Sequence, residues 1–214
     1  MFMPVKFKKL AKTYRKKSFT LLDVGCGDHS PSLTKKYFPL VIYHGLDKED
    51  YNLNQVDQKC IDVLHRVDLD HDPLEAIPNA FFDVMIMNHV IEHLKYPEKV
   101  LETLCQKLKP GGLFYLECPS FRSLGLPQMK GTLQFCDDRT HIYLPNPYDL
   151  VNTLLKQKIV VKDAKVRRDP IRLIFSPFFL IKNLIHKAVG QPPRSRGLWD
   201  LYGFAFYIFG RKEE

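Results

Sequence analysis

Three carboxylates and an amide sit at the ends of four apolar runs in the first half of this chain. Asp23 lies in FTLLDVGCG, Asp47 ends LVIYHGLD, Asp68 follows the run that starts at Cys60, and Asn88 ends FDVMIMN. Gly25 and Gly27 flank Cys26, and glycines there let the backbone come close to a ligand. A carboxylate just ahead of such a turn repels a pyrophosphate, the group that a dinucleotide site presents to helix N–H groups. The ligand that suits Asp23 carries no phosphate at that end. A second group follows the fourth run: His89, Glu92 and His93, with His141 downstream in RTHIYLP. An imidazole titrates near neutral pH and can take a proton from a hydroxyl, so His89 and His141 are the candidate bases.

These residues need a frame. Phe19–Val24, 40–46, 60–67 and Phe82–Met87 read as strands, and the last is a near-continuous apolar run suited to burial on both faces. Residues 32–38 suit a helix closed by Pro39. Pro97–Leu108 carries Val100, Leu101, Leu104 and Leu108 on a helical stripe that stops at Pro110-Gly111-Gly112. Leu113–Glu117 is a fifth strand. The alternation predicts βαβ units, a parallel sheet with helices on both faces, and a ligand crevice beyond the strands' carboxyl ends. The turns after Asp23, Asp47, Asp68 and Asn88 then border one crevice. His89-x-x-Glu92-His93 also spells the H-x-x-E-H zinc-peptidase pattern, but a strand end is the wrong context for it.

The order of these pieces resembles the class I S-adenosylmethionine-dependent methyltransferases, in particular the family with the type 11 methyltransferase domain. LLDVGCG, FDVMIMNHVIEHL and LKPGGLFYLECP carry the resemblance, which is close over residues 19–119 and looser beyond. It implies a Rossmann-like fold with a seven-stranded, mostly parallel sheet and a helical insertion before the last strand. It also implies S-adenosylmethionine as cofactor. Gly25, Cys26 and Gly27 would lie against its methionine part, with Cys26 packing rather than reacting. Asp47 would take the two ribose hydroxyls, with Lys48 beside it, while Asp68 and Leu69 border the adenine. Asn88 and His89 complete the set. The ammonium and sulfonium of this cofactor suit Asp23. His29, after Asp28, stands where the family often has a third glycine.

The same region resembles ubiquinone-pathway O-methyltransferases and small-RNA terminal 2′-O-methyltransferases, in which E-x-x-E-H and a later histidine bind a divalent ion. Glu92 and His93 match, His141 is the candidate later histidine, and His89 replaces the first glutamate. That replacement removes an oxygen ligand of the kind Mg²⁺ prefers. The expectation is therefore no metal, with Glu92 and His93 bracing the next helix and Glu92, His93 and His141 as the candidates should an ion bind.

Beyond Pro119 the pattern loosens. Residues 121–140 read as loop, Asn146–Lys156 as a helix with Pro147 in its first turn, and residues 158–166 and 202–209 as strands. Between them, residues 167–200 form a basic insertion. Ser176-Pro177 starts an amphipathic helix with Phe178, Ile181, Leu184, Ile185 and Ala188 on one face and Lys182, Asn183, His186 and Lys187 on the other. Two readings stand: a lid over the site, or contact of residues 171–196 with an anionic membrane.

The 214 residues suit one domain, and the net charge of +8 allows an anionic partner. The basic residues lack the interleaved aromatics of a nucleic-acid stacking platform, which argues against nucleic acid. Five cysteines without a C-x-x-C pair argue against a disulfide framework or a zinc ribbon. The basic start has no apolar core of a signal peptide, and no run is long enough to span a bilayer, so a cytoplasmic location, peripheral to the membrane's inner face if the insertion binds lipid, is expected. The function expected is O-methylation of a small-molecule or lipid- or sugar-linked acceptor. The alternatives are an RNA methyltransferase and a non-catalytic binding module at a membrane surface.

Overall fold

The computed structural model describes residues 3–125, 134–191 and 199–214. Seven strands form one sheet: β1 Phe19–Val24, β2 Val41–Asp47, β3 Val63–Arg66, β4 Phe82–Asn88, β5 Leu108–Pro119, β6 Ile159–Val166 and β7 Ala205–Lys212. Their order is β3-β2-β1-β4-β5-β7-β6. The pairings from β3 through β5 are parallel, and β7 runs antiparallel to both β5 and β6. The sheet is mostly parallel, as the alternation of strands and helices implied.

Helices cover both faces. Before β1 comes α1 (Val5–Tyr14), which the sequence reading did not assign; its Phe7 and Leu10 are fully buried against Phe19, Phe38 and Tyr43. After β1 follows α2 (Ser30–Tyr37), and after β2 the short α3 (Gln55–Lys59). The Asn54 side chain caps α3 by accepting from the N–H groups of Val56 and Asp57. On the opposite face α4 (Pro97–Lys107) and α5 (Pro147–Lys156) bury Leu101, Leu104, Leu150 and Leu154 against Met85, Phe114 and Ile208. Asn146 caps α5 and Pro147 occupies its first turn.

The structure moves several boundaries. Strand β5 begins at Leu108, with Pro110-Gly111-Gly112 inside it and a register irregularity opposite Phe82–Val84. Helix α4 ends at Lys107, ahead of these turn residues, and the ladder runs through them. The third strand shrinks to Val63–Arg66, an edge strand with little buried surface. The 121–140 loop contains two 3₁₀ turns, Phe121–Gly125 and Phe135–Asp137. The insertion forms α6 (Pro170–Ile174) and α7 (Ser176–Ala188), and α8 (Trp199–Tyr202) precedes β7, which therefore starts at Ala205. Arg194 and Arg196 fall outside the described residues. All five cysteines are free.

Candidate active site

A crevice of about 1690 Å³ opens beyond the carboxyl ends of β1, β2 and β4, bordered by Asp23, Asp47, Asp68, Asn88 and Glu117. Single-ligand pockets run to about 300–1,000 Å³, so this one has room for two molecules side by side. Its first half is made of backbone. Gly25 has a φ of 73°, and its N–H donates to the Leu46 carbonyl at 2.8 Å. A Cβ at Gly25 would stand 2.2 Å from Val90 Cγ2, and one at Gly27 would stand 2.7 Å from the Tyr51 carbonyl oxygen. No other residue fits either place. Asp28 and His29 continue the turn in the left-handed region, with φ of 48° and 62°. His29 thus adopts the conformation a glycine would take, and its Nδ1 lies 2.6 Å from Asp57 Oδ2.

The carboxylates of this half are held from below. Asp23, almost fully buried, accepts at Oδ2 from Ser30 Oγ and Tyr43 OH, both at 2.6 Å. Burial raises the Asp47 carboxyl above its ordinary value, against the N–H groups of Glu49, Lys48 and Gly27 that favour its charged form. The Asp68 carboxylate accepts from Asp70 N–H at 3.0 Å within its own turn. Lys48 and Leu69 line the crevice beside these acids. The Cys26 side chain does not: it turns into the core under Gly45, and burial, with Asp23 and Asp47, pushes its thiol up to about 12. Such a thiol packs and does not react.

The second half is charged. Asn88 pairs in register with Glu117 on the neighbouring strand, and His89 N–H donates to the Glu117 carbonyl at 2.8 Å. The His89 backbone is left-handed, at φ 52°, which turns its ring toward two carboxylates. Nδ1 lies 3.1 Å from Glu92 Oε1 and Nε2 lies 3.4 Å from Glu117 Oε1, while the ring stacks on Phe204. Burial pulls the imidazole's pKa down, but Glu117 and Glu92 outweigh it and raise the value to about 9. Burial would likewise raise Glu117, yet Arg167 and His89 bring it down to about 2. Arg167 NH1 donates to Glu117 Oε1, and Arg167 Nε lies 3.4 Å from Asp200 Oδ1. Tyr115 OH donates to Glu117 Oε2 at 2.6 Å. His89 is therefore an imidazolium at neutral pH, one member of a chain of alternating charges that includes Glu92, Glu117, Arg167 and Asp200.

A third cluster stands beside it. Glu92, His93 and His141 each offer a ligand atom, and these atoms lie within 4.8 Å of one another. His141 Nδ1 donates to the Phe135 carbonyl at 2.7 Å and His93 Nδ1 to the Thr140 carbonyl at 3.2 Å. In the neutral form of either ring, these bonds put the lone pair on Nε2. Glu92 is fully buried, and its Oε2 has no hydrogen-bond partner among the described residues.

A family model for a methyltransferase domain matches residues 3–157. The chain belongs to the methyltransferase domain family. Its sheet is that of the class I methyltransferases. A methyltransferase of Mesorhizobium loti described as S-adenosylmethionine-dependent is similar to it with a TM-score of 0.64 and 14% identity, covering 95% of each chain. An Archaeoglobus fulgidus methyltransferase described in the same terms has a TM-score of 0.58 and 16% identity over 97% of this chain and 91% of its own. Phosphoethanolamine N-methyltransferase 2 of Haemonchus contortus, in complex with S-adenosyl-L-methionine, has a TM-score of 0.62 and 14% identity, over 98% of this chain and 52% of its own. No curated protein sequence matches the chain.

Of the catalytic, cofactor and metal candidates read from the sequence of this methyltransferase, all but Cys26 border the crevice. The sequence reading missed Glu117, Arg167 and Asp200. Glu117 had a signal, since an acid inside the apolar run LFYLECP must find a partner when buried. Arg167 and Asp200 had none, because 50 and 83 residues separate them from that partner. Pro4, Val5 and Lys6, at the start of α1, also line the crevice. Arg167, the first residue of the insertion, lines the crevice as well.

Proposed function

We propose that this methyltransferase moves the methyl group of S-adenosylmethionine to a hydroxyl of a small-molecule or lipid- or sugar-linked acceptor. The observation that carries the reading is the glycine turn, packed so closely on Val90 and the Tyr51 carbonyl that neither glycine can carry a Cβ, set between the carboxylates of Asp23 and Asp47. S-adenosylmethionine fits it: the cofactor has no phosphate for Asp23 to repel, and it brings hydroxyls and a cationic ammonium for carboxylates to bind. Asn88 Oδ1, buried and without a partner, adds an acceptor for a ligand N–H or O–H at the strand end. The bound cofactor supplies an electrophilic methyl on a good leaving group.

This chain's residues then orient and take a proton. Gly25 and Gly27 admit the methionine part, Asp47 with Lys48 holds the ribose, and Asp68 and Leu69 border the adenine. His89, charged between two carboxylates, is a poor proton acceptor, and its role becomes that of a fixed cation holding Glu92 and Glu117. The base is His141, whose Nδ1–H is committed to a carbonyl so that Nε2 can accept a proton. Residues 171–196 are assigned contact with an anionic membrane, at the cytoplasmic face.

A second reading of the acceptor half rests on the cluster of Glu92, His93 and His141, whose candidate ligand atoms lie within 4.8 Å of one another. Two imidazoles and one carboxylate suit a borderline divalent ion such as zinc better than Mg²⁺. Such an ion would polarise the acceptor oxygen. Cobalt(II) titration followed by visible absorption tests it: a d–d band lost in His93→Ala supports the ion, and no band in the parent chain rejects it.

Calorimetric titration with S-adenosylmethionine and S-adenosylhomocysteine tests the main reading. The parent chain should bind both with micromolar affinity and Asp47→Ala at least about 30-fold more weakly, a loss of about 2 kcal/mol for hydrogen bonds to a charged group. No binding by the parent chain would sink the proposal.

A further inference from the structure

We infer that α6 and α7 form an in-plane membrane anchor, which docks the chain on an anionic bilayer and opens its crevice toward an acceptor resident there. The inference deepens the acceptor reading above and rests on it for the acceptor alone. The docking stands on separate observations.

The first is an apolar face left exposed among the described residues. Ile174, Phe178, Ile181, Leu184, Ile185 and Val189 recur at three and four residues along α6 and α7, and each is between 57% and 73% exposed. A helix that belongs to a globular core turns such a stripe inward. Here α7 has α6 as its main neighbour, and no residue of 177–186 or 188–190 is buried. Exposed apolar surface on this scale marks a binding surface.

The second is a firm root. Asp169 caps α6 by accepting from Ile171 N–H at 3.0 Å, and Lys8 of α1 donates to its other oxygen at 2.7 Å. At the far end of the insertion, Asp200 Oδ1 accepts from Asp169 N–H at 2.9 Å and Oδ2 lies 3.7 Å from Arg172. The two ends of the excursion are thus tied to each other and to the body. The arm projects from a rigid base, and its apolar face is displayed rather than left by a frayed segment.

Charge names the occupant. Between Asp169 and Asp200 the sequence has no acidic residue and five cations: Arg172, Lys182, Lys187, Arg194 and Arg196. A matching surface must be apolar and anionic together. A second copy of this chain would set one cationic arm against another. An anionic bilayer meets both needs, with acyl chains beneath the apolar face and phosphates near the exposed Lys182.

Topology links the arm to the crevice. Strands β5 and β6 are both antiparallel to β7, so β6 ends on the side where the crevice opens. Arg167, the next residue, lines the crevice, and α6 starts three residues later. An arm lying in the bilayer surface brings the acceptor half of the crevice near lipid head groups, so the acceptor class is an amphiphile with a hydroxyl at the interface.

Sedimentation of the full chain with vesicles tests the anchor. Vesicles of mixed phosphatidylcholine and phosphatidylglycerol should bind the chain at least tenfold more tightly than phosphatidylcholine alone, and salt should reverse the gain. Phe178→Ser/Ile181→Ser/Leu184→Ser should weaken binding at least about 100-fold, since each side chain loses favourable apolar burial. Lys182→Glu removes one positive charge and adds a negative one, for about a 30-fold loss on the mixed vesicles. All four positions are exposed, so both variants should keep the parent's melting temperature and its affinity for S-adenosylmethionine. Equal binding by parent and triple variant, no preference for the anionic vesicles, or a dimer in equilibrium centrifugation that the triple variant abolishes would each overturn the inference. A chain that binds vesicles but not S-adenosylmethionine defeats the methyl-transfer reading alone. One that binds S-adenosylmethionine but not vesicles defeats the anchor alone.

Discussion

The two halves of the crevice are built by different means. In the half bounded by Gly25, Gly27, Asp23 and Asp47, the backbone does the shaping, and residues within about thirty positions of one another meet because parallel strands bring their carboxyl ends together. In the half bounded by His89, Glu92 and Glu117, side-chain charge does the shaping, with partners drawn from the far insertion. The first is a cradle whose tolerance is set by sterics. The second is a balance of buried charges, in which removal of one member leaves another uncompensated.

The largest effect should come from the charged half. Arg167→Ala leaves Glu117 buried beside Tyr115 without its main counter-charge, and loss of one partner of a buried pair costs about 3–5 kcal/mol. Urea denaturation should show that drop, while S-adenosylmethionine binding below the transition stays within a few-fold of the parent. A large loss of cofactor affinity in the folded variant would erase the distinction between the halves.

Gly25→Ala probes the other side. The left-handed backbone costs an alanine about 1–3 kcal/mol, and its Cβ would meet Val90 at 2.2 Å. Cofactor affinity should fall about 100-fold or more by calorimetry, with a smaller loss of stability than in Arg167→Ala. Normal cofactor binding in this variant would break the steric account.

The pH profile of stability separates the halves further. Glu117, held at about 2 against an ordinary 4.5, stabilises the fold above pH 4.5, and that contribution is lost as pH falls toward 2. His89, raised from 6.5 to about 9, contributes fully below pH 6.5 and loses its contribution as pH rises through 9. Melting temperature should fall at both ends, and His89→Gln should flatten the alkaline limb. An alkaline limb unchanged in His89→Gln would place the titration elsewhere.

The smallest effect belongs to Tyr43→Phe, which removes one of two donors to Asp23. A loss of about 1–2 kcal/mol is expected in urea denaturation, because Ser30 still donates to the carboxylate. A second variant, Ser30→Ala, should cost a similar amount, and the pair together should cost more than the sum.

Local patterns carried most of the sheet. The runs ending at Val24, Asp47 and Asn88 are strands within a residue of where apolar continuity places them. The N-terminal helix escaped because the cations of VKFKKLAKTY mask Phe7 and Leu10, whose spacing is helical but sparse. Pro110-Gly111-Gly112 misled in a different way. Helix α4 ends before them, at Lys107, and they lie inside β5, whose ladder tolerates an irregularity opposite Phe82–Val84. The insertion stayed open between two readings, because an amphipathic pattern records that one face seeks apolar surroundings and says nothing of which surface supplies them.

Sequence alone determined the alternation of strands and helices, the glycine turn with Asp23 and Asp47, and the presence of His89, Glu92, His93 and His141 beyond the fourth strand. Those features depend on residues close together in the chain, where steric and hydrophobic preferences act directly. Only the tertiary structure decided that His89 is charged, that Glu117, Arg167 and Asp200 share its network, that His93 and His141 converge on Glu92, and that the arm displays its apolar face. Burial and long-range pairing settle those outcomes, and both arise only once distant segments have packed.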